Sequence, residues 1–143
     1  MICAVIRSET SGQAIAEMEE ARRLGADLCE LRADYLKDPD LAGILKAKPL
    51  PVLVTVRPKW EGGRYEGDES LRLGMLEDAC LHGADYVDVE FRAYKDFNRR
   101  ESKLIVSYHD FEKVPDDLEK TARKMALLEP FLVSGLTSGA VKQ

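Results

Sequence analysis

The sequence has 143 residues, 45% of them hydrophobic and 33% charged, with a formal net charge of −5 at pH 7. That length suits one domain with one core, and its 21 basic residues are interleaved with 26 acidic ones, so no basic stripe is available to neutralise phosphates and nucleic acid is excluded as a partner. The longest apolar runs, such as "PLPVLVTV", fall far short of the roughly 18 residues that cross a bilayer, which excludes a membrane-embedded class.

Strand and helix signals alternate along the chain. "MICAVIRSE" moves straight into a strand at residues 2–6, with neither a basic n-region nor an Arg/Ser-rich leader, so the expected location is cytoplasmic. Residues 11–25 space Ile15, Met18, Ala21 and Arg22 as a helix does and end at Gly25. "DLCELRAD" reads as a second strand, and "LKDPDLAGILKAK" as a short helix that Pro39 opens at its first turn. "LPVLVTVRP" is the clearest strand and stops at Pro58. After the glycine-rich loop "WEGGRYEGDE", residues 69–83 form a predicted helix with Leu71, Met75 and Leu76 inward and a stop at Gly83. "DYVDVEF" and "KLIVSYHD" are strands four and five, and "PDDLEKTARKMALL" is a helix with Pro115 and two aspartates in its first turn. The cysteines, Cys3, Cys29 and Cys80, have no metal-ligand spacing and read as small buried hydrophobes in a reducing compartment.

This alternation predicts parallel βαβ units, in either an open doubly wound sheet or a (β/α) barrel. Residues two apart on a strand share a face, and four strands each place a polar pair on one face: Glu30 with Arg32, Thr55 with Arg57, Asp88 with Glu90, and Ser107 with His109. The intervening Leu31, Val56, Val89 and Val106 are apolar. A doubly wound sheet needs two apolar faces, whereas a barrel takes polar side chains near its C-terminal mouth. The parity therefore favours a barrel, with about five βα units legible.

Chemistry is expected at that mouth. Arg32 and Arg57 offer planar donor forks suited to carboxylates and vicinal hydroxyls, so the ligand should be small, anionic and rich in oxygen. Glu30 can accept from a ligand hydroxyl or pair with Arg32. His109 can act as general base if a carboxylate fixes its tautomer, and either Glu61 or Glu90 can supply that carboxylate. The loop glycines match no phosphate-binding pattern and read as a rim or lid, while His82 before Gly83 reads as a helix cap.

"ELRAD", "VTVRPKWEGGRYEGDE", "GADYVDVEF" and "VSYHDF", in this order and spacing, resemble type I 3-dehydroquinate dehydratase. "RPKWEGG" is especially similar to the dehydratase half of the plant bifunctional enzyme. The resemblance spans residues 1–125 and implies a (β/α)8 barrel that dehydrates 3-dehydroquinate to 3-dehydroshikimate, with no metal or organic cofactor. It implies that His109 is the general acid/base with Glu61 as its partner, and that Glu30, Arg32 and Arg57 hold the substrate. In such enzymes a lysine on the sixth strand, in a motif resembling "ADIVKIA", forms a Schiff base with the ketone.

Residues 126–143, "ALLEPFLVSGLTSGAVKQ", diverge from that motif. With the resemblance, the chain thus reads as a partial (β/α)8 barrel truncated after its fifth unit, with no matched imine-forming lysine. Lys142 is a weak substitute because it lies next to the terminal carboxylate, Lys103 belongs to the opposite end of the barrel, and Lys59 reads as a rim charge. The first and fifth strands are expected to expose edges that favour self-association. The alternative reading is an inactive homologue that binds a ligand or docks on a homologous barrel. A plastid location is expected if the plant-like resemblance holds for a longer form.

Overall fold

The computed structural model describes residues 1–112, 114, 116–128 and 132–137. Its strands are β1 (Cys3–Ile6), β2 (Leu28–Arg32), β3 (Val52–Thr55), β4 (Tyr86–Glu90), β5 (Lys103–Asp110) and β6 (Leu132–Thr137). Its helices are α1 (Ser11–Arg23), α2 (Leu41–Ala47), α3 (Glu69–Leu81) and α4 (Leu118–Ala126). The strands form one sheet in the order β1-β2-β3-β4-β5-β6, with every neighbouring pair parallel. Sequential parallel strands with crossover helices are the arrangement of a barrel wall, and they confirm the partial barrel read from the sequence.

Local chemistry sets the helix starts. Thr10 accepts from the backbone N–H of Gln13 ahead of α1, and Asp68 accepts from those of Ser70 and Leu71 ahead of α3. Asp40 caps α2 by accepting from Gly43, so Pro39 lies before the helix and not in its first turn. Gly25 and Gly83, with φ of 91° and 88°, follow the ends of α1 and α3 as predicted. His82 caps α3, and its Nδ1 lies 2.9 Å from the Asp78 carbonyl oxygen. Pro115 lies outside the described residues; Asp117 is the N-cap of α4.

The core fills the space between helices and sheet. Met18, Ile44 and Leu76 meet Cys29, Leu31, Val52, Val54, Val56, Val87 and Val89, all buried. Each such side chain contributes about 1.5–3 kcal/mol by leaving water, so the apolar stripe of every strand faces the helices. Two inward assignments are corrected. Leu71 is 66% exposed, and the neighbouring Arg72 is fully buried in its place because a carboxylate waits for it on β4. Cys3 is exposed, since it stands on the inner face of an edge strand that pairs with β2 alone among the described residues.

β6 extends the barrel beyond the five units predicted. Its sequence, "LVSGLT", carries serine and glycine at its centre and so gives a weak strand signal. Backbone pairing with β5 from Ile105↔Leu132 to Asp110↔Thr137 supplies what side-chain propensity does not. Among the described residues the sheet edges therefore lie on β1 and β6 instead of β1 and β5.

Candidate active site

The four polar pairs share the face opposite the helices, as their parity requires, and register carries them side by side: Arg32↔Thr55, Thr55↔Asp88 and Glu90↔Ser107. His109 stands near the C-terminal end of β5, with its Nδ1 2.9 Å from Glu61 Oε2. Glu61 comes from a one-turn 3-10 helix, Lys59–Glu61, that begins where Pro58 ends the extended run of β3. The two glycines of "EGG" shape this turn. Gly62 adopts φ 77°, and a Cβ there would lie 2.5 Å from the Phe111 ring; a Cβ on Gly63 would lie 2.0 Å from the Arg57 carbonyl oxygen. Only hydrogen at both positions lets the loop fold back and bury Glu61, 4% exposed, beside Arg57. The glycine-rich loop is thus a scaffold for Glu61.

As a carboxylate, Glu61 only accepts, so Nδ1 of His109 donates to it and Nε2 is left to take or give a proton. Arg57 Nη1 lies 3.5 Å from the same Glu61 oxygen. Of the two carboxylates left open by the sequence, Glu61 and not Glu90 meets the imidazole.

Glu90 serves Arg57 instead. Arg57 Nη1 donates to Glu90 Oε1 at 2.8 Å and to Ser107 Oγ at 2.7 Å, while Nη2 lies 3.1 Å from Asp88 Oδ1. Ser107 in turn donates to Asp88. Burial opposes the charge on Arg57, yet Asp88, Glu90 and Glu61 together raise its pKa above the ordinary guanidinium value. On the other side, Arg72 Nη1 sits 2.7 Å from Glu90 Oε2 in an ion pair without directed hydrogen-bond geometry, and donates to the Val56 carbonyl at 2.9 Å. Burial pushes the Glu90 carboxyl up to about 7; Arg72 and Arg57 oppose that rise and Asp88 adds to it. Arg57 is therefore committed to a buried network that braces Glu61.

Glu30 and Arg32 occupy the neighbouring part of the face. Glu30 accepts from Thr55 Oγ1 at 2.9 Å, not from Arg32. Arg32 donates through Nε and Nη2 to both oxygens of Asp34, at 2.9 and 2.8 Å, and lies over the Tyr35 ring. No hydrogen bond or ion pair among the described residues joins Arg32 to the Arg57 network. The predicted residues therefore gather in two clusters, His109–Glu61–Arg57 and Glu30–Arg32, on one end of one face.

The lysines separate as well. Lys103 begins β5, at the end opposite His109, and Lys59 pairs with Glu66. Lys142 lies outside the described residues. β6 contains no lysine, and Ser134 and Leu136 stand in register beside Ser107 and His109. Sequence reasoning missed Arg72 and Asp34. Arg72 was hidden by its place next to the apolar Leu71, although "ESLRL" beside a buried acidic strand was a signal; Asp34 follows Arg32 at the spacing of a local ion pair.

Sheet, helices and polar face together define a (β/α)-barrel protein whose candidate site residues gather toward the C-terminal ends of its strands. The family model of type I 3-dehydroquinase matches residues 2–132, and the chain belongs to that family. It is 42% identical over 132 residues to the chloroplastic bifunctional 3-dehydroquinate dehydratase/shikimate dehydrogenase of Arabidopsis thaliana, covering 83% of this chain and 22% of that protein. It is 34% identical over 124 residues to a 3-dehydroquinate dehydratase of Methanococcus maripaludis, covering 81% of this chain and 56% of the relative. The crystal structure of 3-dehydroquinate dehydratase from Geobacillus kaustophilus superposes with a TM-score of 0.82 at 26% identity, over 94% of this chain and 60% of that one. The chain thus spans little more than half the length of the single-function relative. No helix among the described residues is long and apolar enough to cross a membrane.

Proposed function

We propose that this chain carries the proton-transfer and substrate-binding portion of a 3-dehydroquinate dehydratase, a hydro-lyase of the shikimate pathway that converts 3-dehydroquinate to 3-dehydroshikimate and water. The observation that carries the reading is the His109–Glu61 contact of 2.9 Å on the same end of the same face as Glu30 and Arg32. His109 Nε2 removes the proton next to the ketone carbon, held as an imine, and returns it to the departing hydroxyl so that water leaves. Glu61 keeps the tautomer in place and offsets the imidazolium charge. Glu30 and Arg32 hold the hydroxyls, and Arg57 positions Glu61.

The imine needs a lysine that can lose its proton, and β6 has none. The chain by itself therefore binds the substrate and turns it over little. A plastid setting for a longer form is supported by the chloroplastic name of the plant relative.

Calorimetric titration with 3-dehydroquinate tests the binding half. Saturable binding, weakened about tenfold or more by Glu30→Gln and by Arg32→Lys, is expected from the loss of charge-assisted and bidentate hydrogen bonds. Equal affinity in both variants would remove these residues from the site.

A further inference from the structure

Tyr35 gathers more positive charge than its neighbours neutralise. Val5 of β1 stands in register with Glu30, so two residues further on Arg7 lies beside Arg32 at the same end of the sheet. The guanidinium carbons of Arg64, Arg32 and Arg7 lie 4.1, 5.1 and 5.9 Å from the centre of the Tyr35 ring. They arrive on three separate segments, following β1, ending β2 and following β3, so local sequence does not force them together.

The nearby carboxylates are already engaged. Asp34, its side chain fully buried, accepts from Nε and Nη2 of Arg32 and also from the backbone N–H of Arg64 at 3.0 Å. Glu9 pairs with Lys37, with Arg64 only a further influence on it, and Glu30 accepts from Thr55. Among the described residues, Arg7 and Arg64 have no ion-pair partner, and both are exposed. Like charges that share one ring repel, while each ring contact returns only about 0.5–1 kcal/mol. An anion with two or more oxygens relieves that repulsion, and the free planar forks suit it.

We propose that Arg7, Arg32 and Arg64, gathered on Tyr35, form a subsite for a small oxyanion, the carboxylate of a hydroxylated acid or a phosphate. It rests on the dehydratase reading only in sharing Arg32 with that substrate set, and as an anion site it does not require turnover.

The test uses the whole chain at constant ionic strength, following the arginine Nε–H resonances by NMR during titration with quinate, inorganic phosphate and neutral myo-inositol. Quinate is expected to shift Arg7 and Arg64 saturably, and inositol to leave them in place. Arg7→Ala and Arg64→Ala each weaken quinate at least fivefold, and Arg7→Lys weakens it too because charge remains but the fork is lost. Both arginines are exposed, so the core survives these changes, and unaltered circular dichroism checks that. Phosphate moving the same resonances assigns the site to oxyanions in general; quinate acting without phosphate assigns it to hydroxy acids. Either outcome supports the subsite. Resonances unmoved by both anions, or variants that bind quinate like the parent, overturn it. Loss of 3-dehydroquinate binding with anion binding intact would instead count against the dehydratase reading.

Discussion

Glu90 is the residue on which the interior electrostatics turn. It is fully buried between two guanidinium groups, and burial still holds its carboxyl at about 7 against an ordinary value of 4.5. The folded chain therefore keeps a proton on Glu90 that the unfolded chain has already released, and stability falls as pH rises from about 4.5 through about 7. The contribution lost is on the order of 3 kcal/mol, from about 1.36 kcal/mol per pKa unit. Urea unfolding across this window should show a decline in the parent that Glu90→Gln flattens; parallel curves for the two proteins would remove Glu90 as the source. The polar face that includes Glu90 was legible in the sequence through strand parity alone. Its division of labour was not, because which carboxylate meets His109 depends on how far the loop after β3 folds back, and pleat alternation says nothing of that.

At the scale of elements, the turn at Lys59–Glu61 joins sequence to site. Gly62→Ala forces a Cβ into a left-handed conformation, costing about 1–2 kcal/mol, and pushes on the Phe111 side chain, which can move. Gly63→Ala meets the Arg57 backbone carbonyl, which accepts from the Tyr65 N–H and cannot swing aside as a side chain can, and should cost more. Urea midpoints ranked parent above Gly62→Ala above Gly63→Ala are the expected result; a reversed order would mean that this loop does not hold the conformation described. The glycines were visible in the sequence as a turn, but their reason was not, since the atoms they make room for lie 49 residues away at Phe111 and across the loop at Arg57. Strands with alternating or continuous β-branched residues, such as "LPVLVTV", declared themselves, whereas β6 did not. Its pairing comes from the exposed edge of β5, a tertiary cause that composition does not encode. The same limit hid Arg72, whose inward turn is explained only by Glu90 on another element.

At the scale of the whole sheet, β1 and β6 are its edges among the described residues, and the inner face of β1 leaves Val5 47% exposed. Unpaired parallel edges recruit other strands. Light scattering should show association that grows with protein concentration and is reduced by Val5→Lys, which sets a charge on that edge strand; a monomer at every concentration would contradict this. The central claim is that the chain supplies the acid/base and binding groups of a dehydroquinase while β6 supplies no imine-forming lysine. It is tested most directly by incubating the protein with 3-dehydroquinate and borohydride and reading the intact mass and peptide map. An unmodified chain and little turnover are expected. A stable adduct on a lysine, with turnover that His109→Ala abolishes, would contradict it.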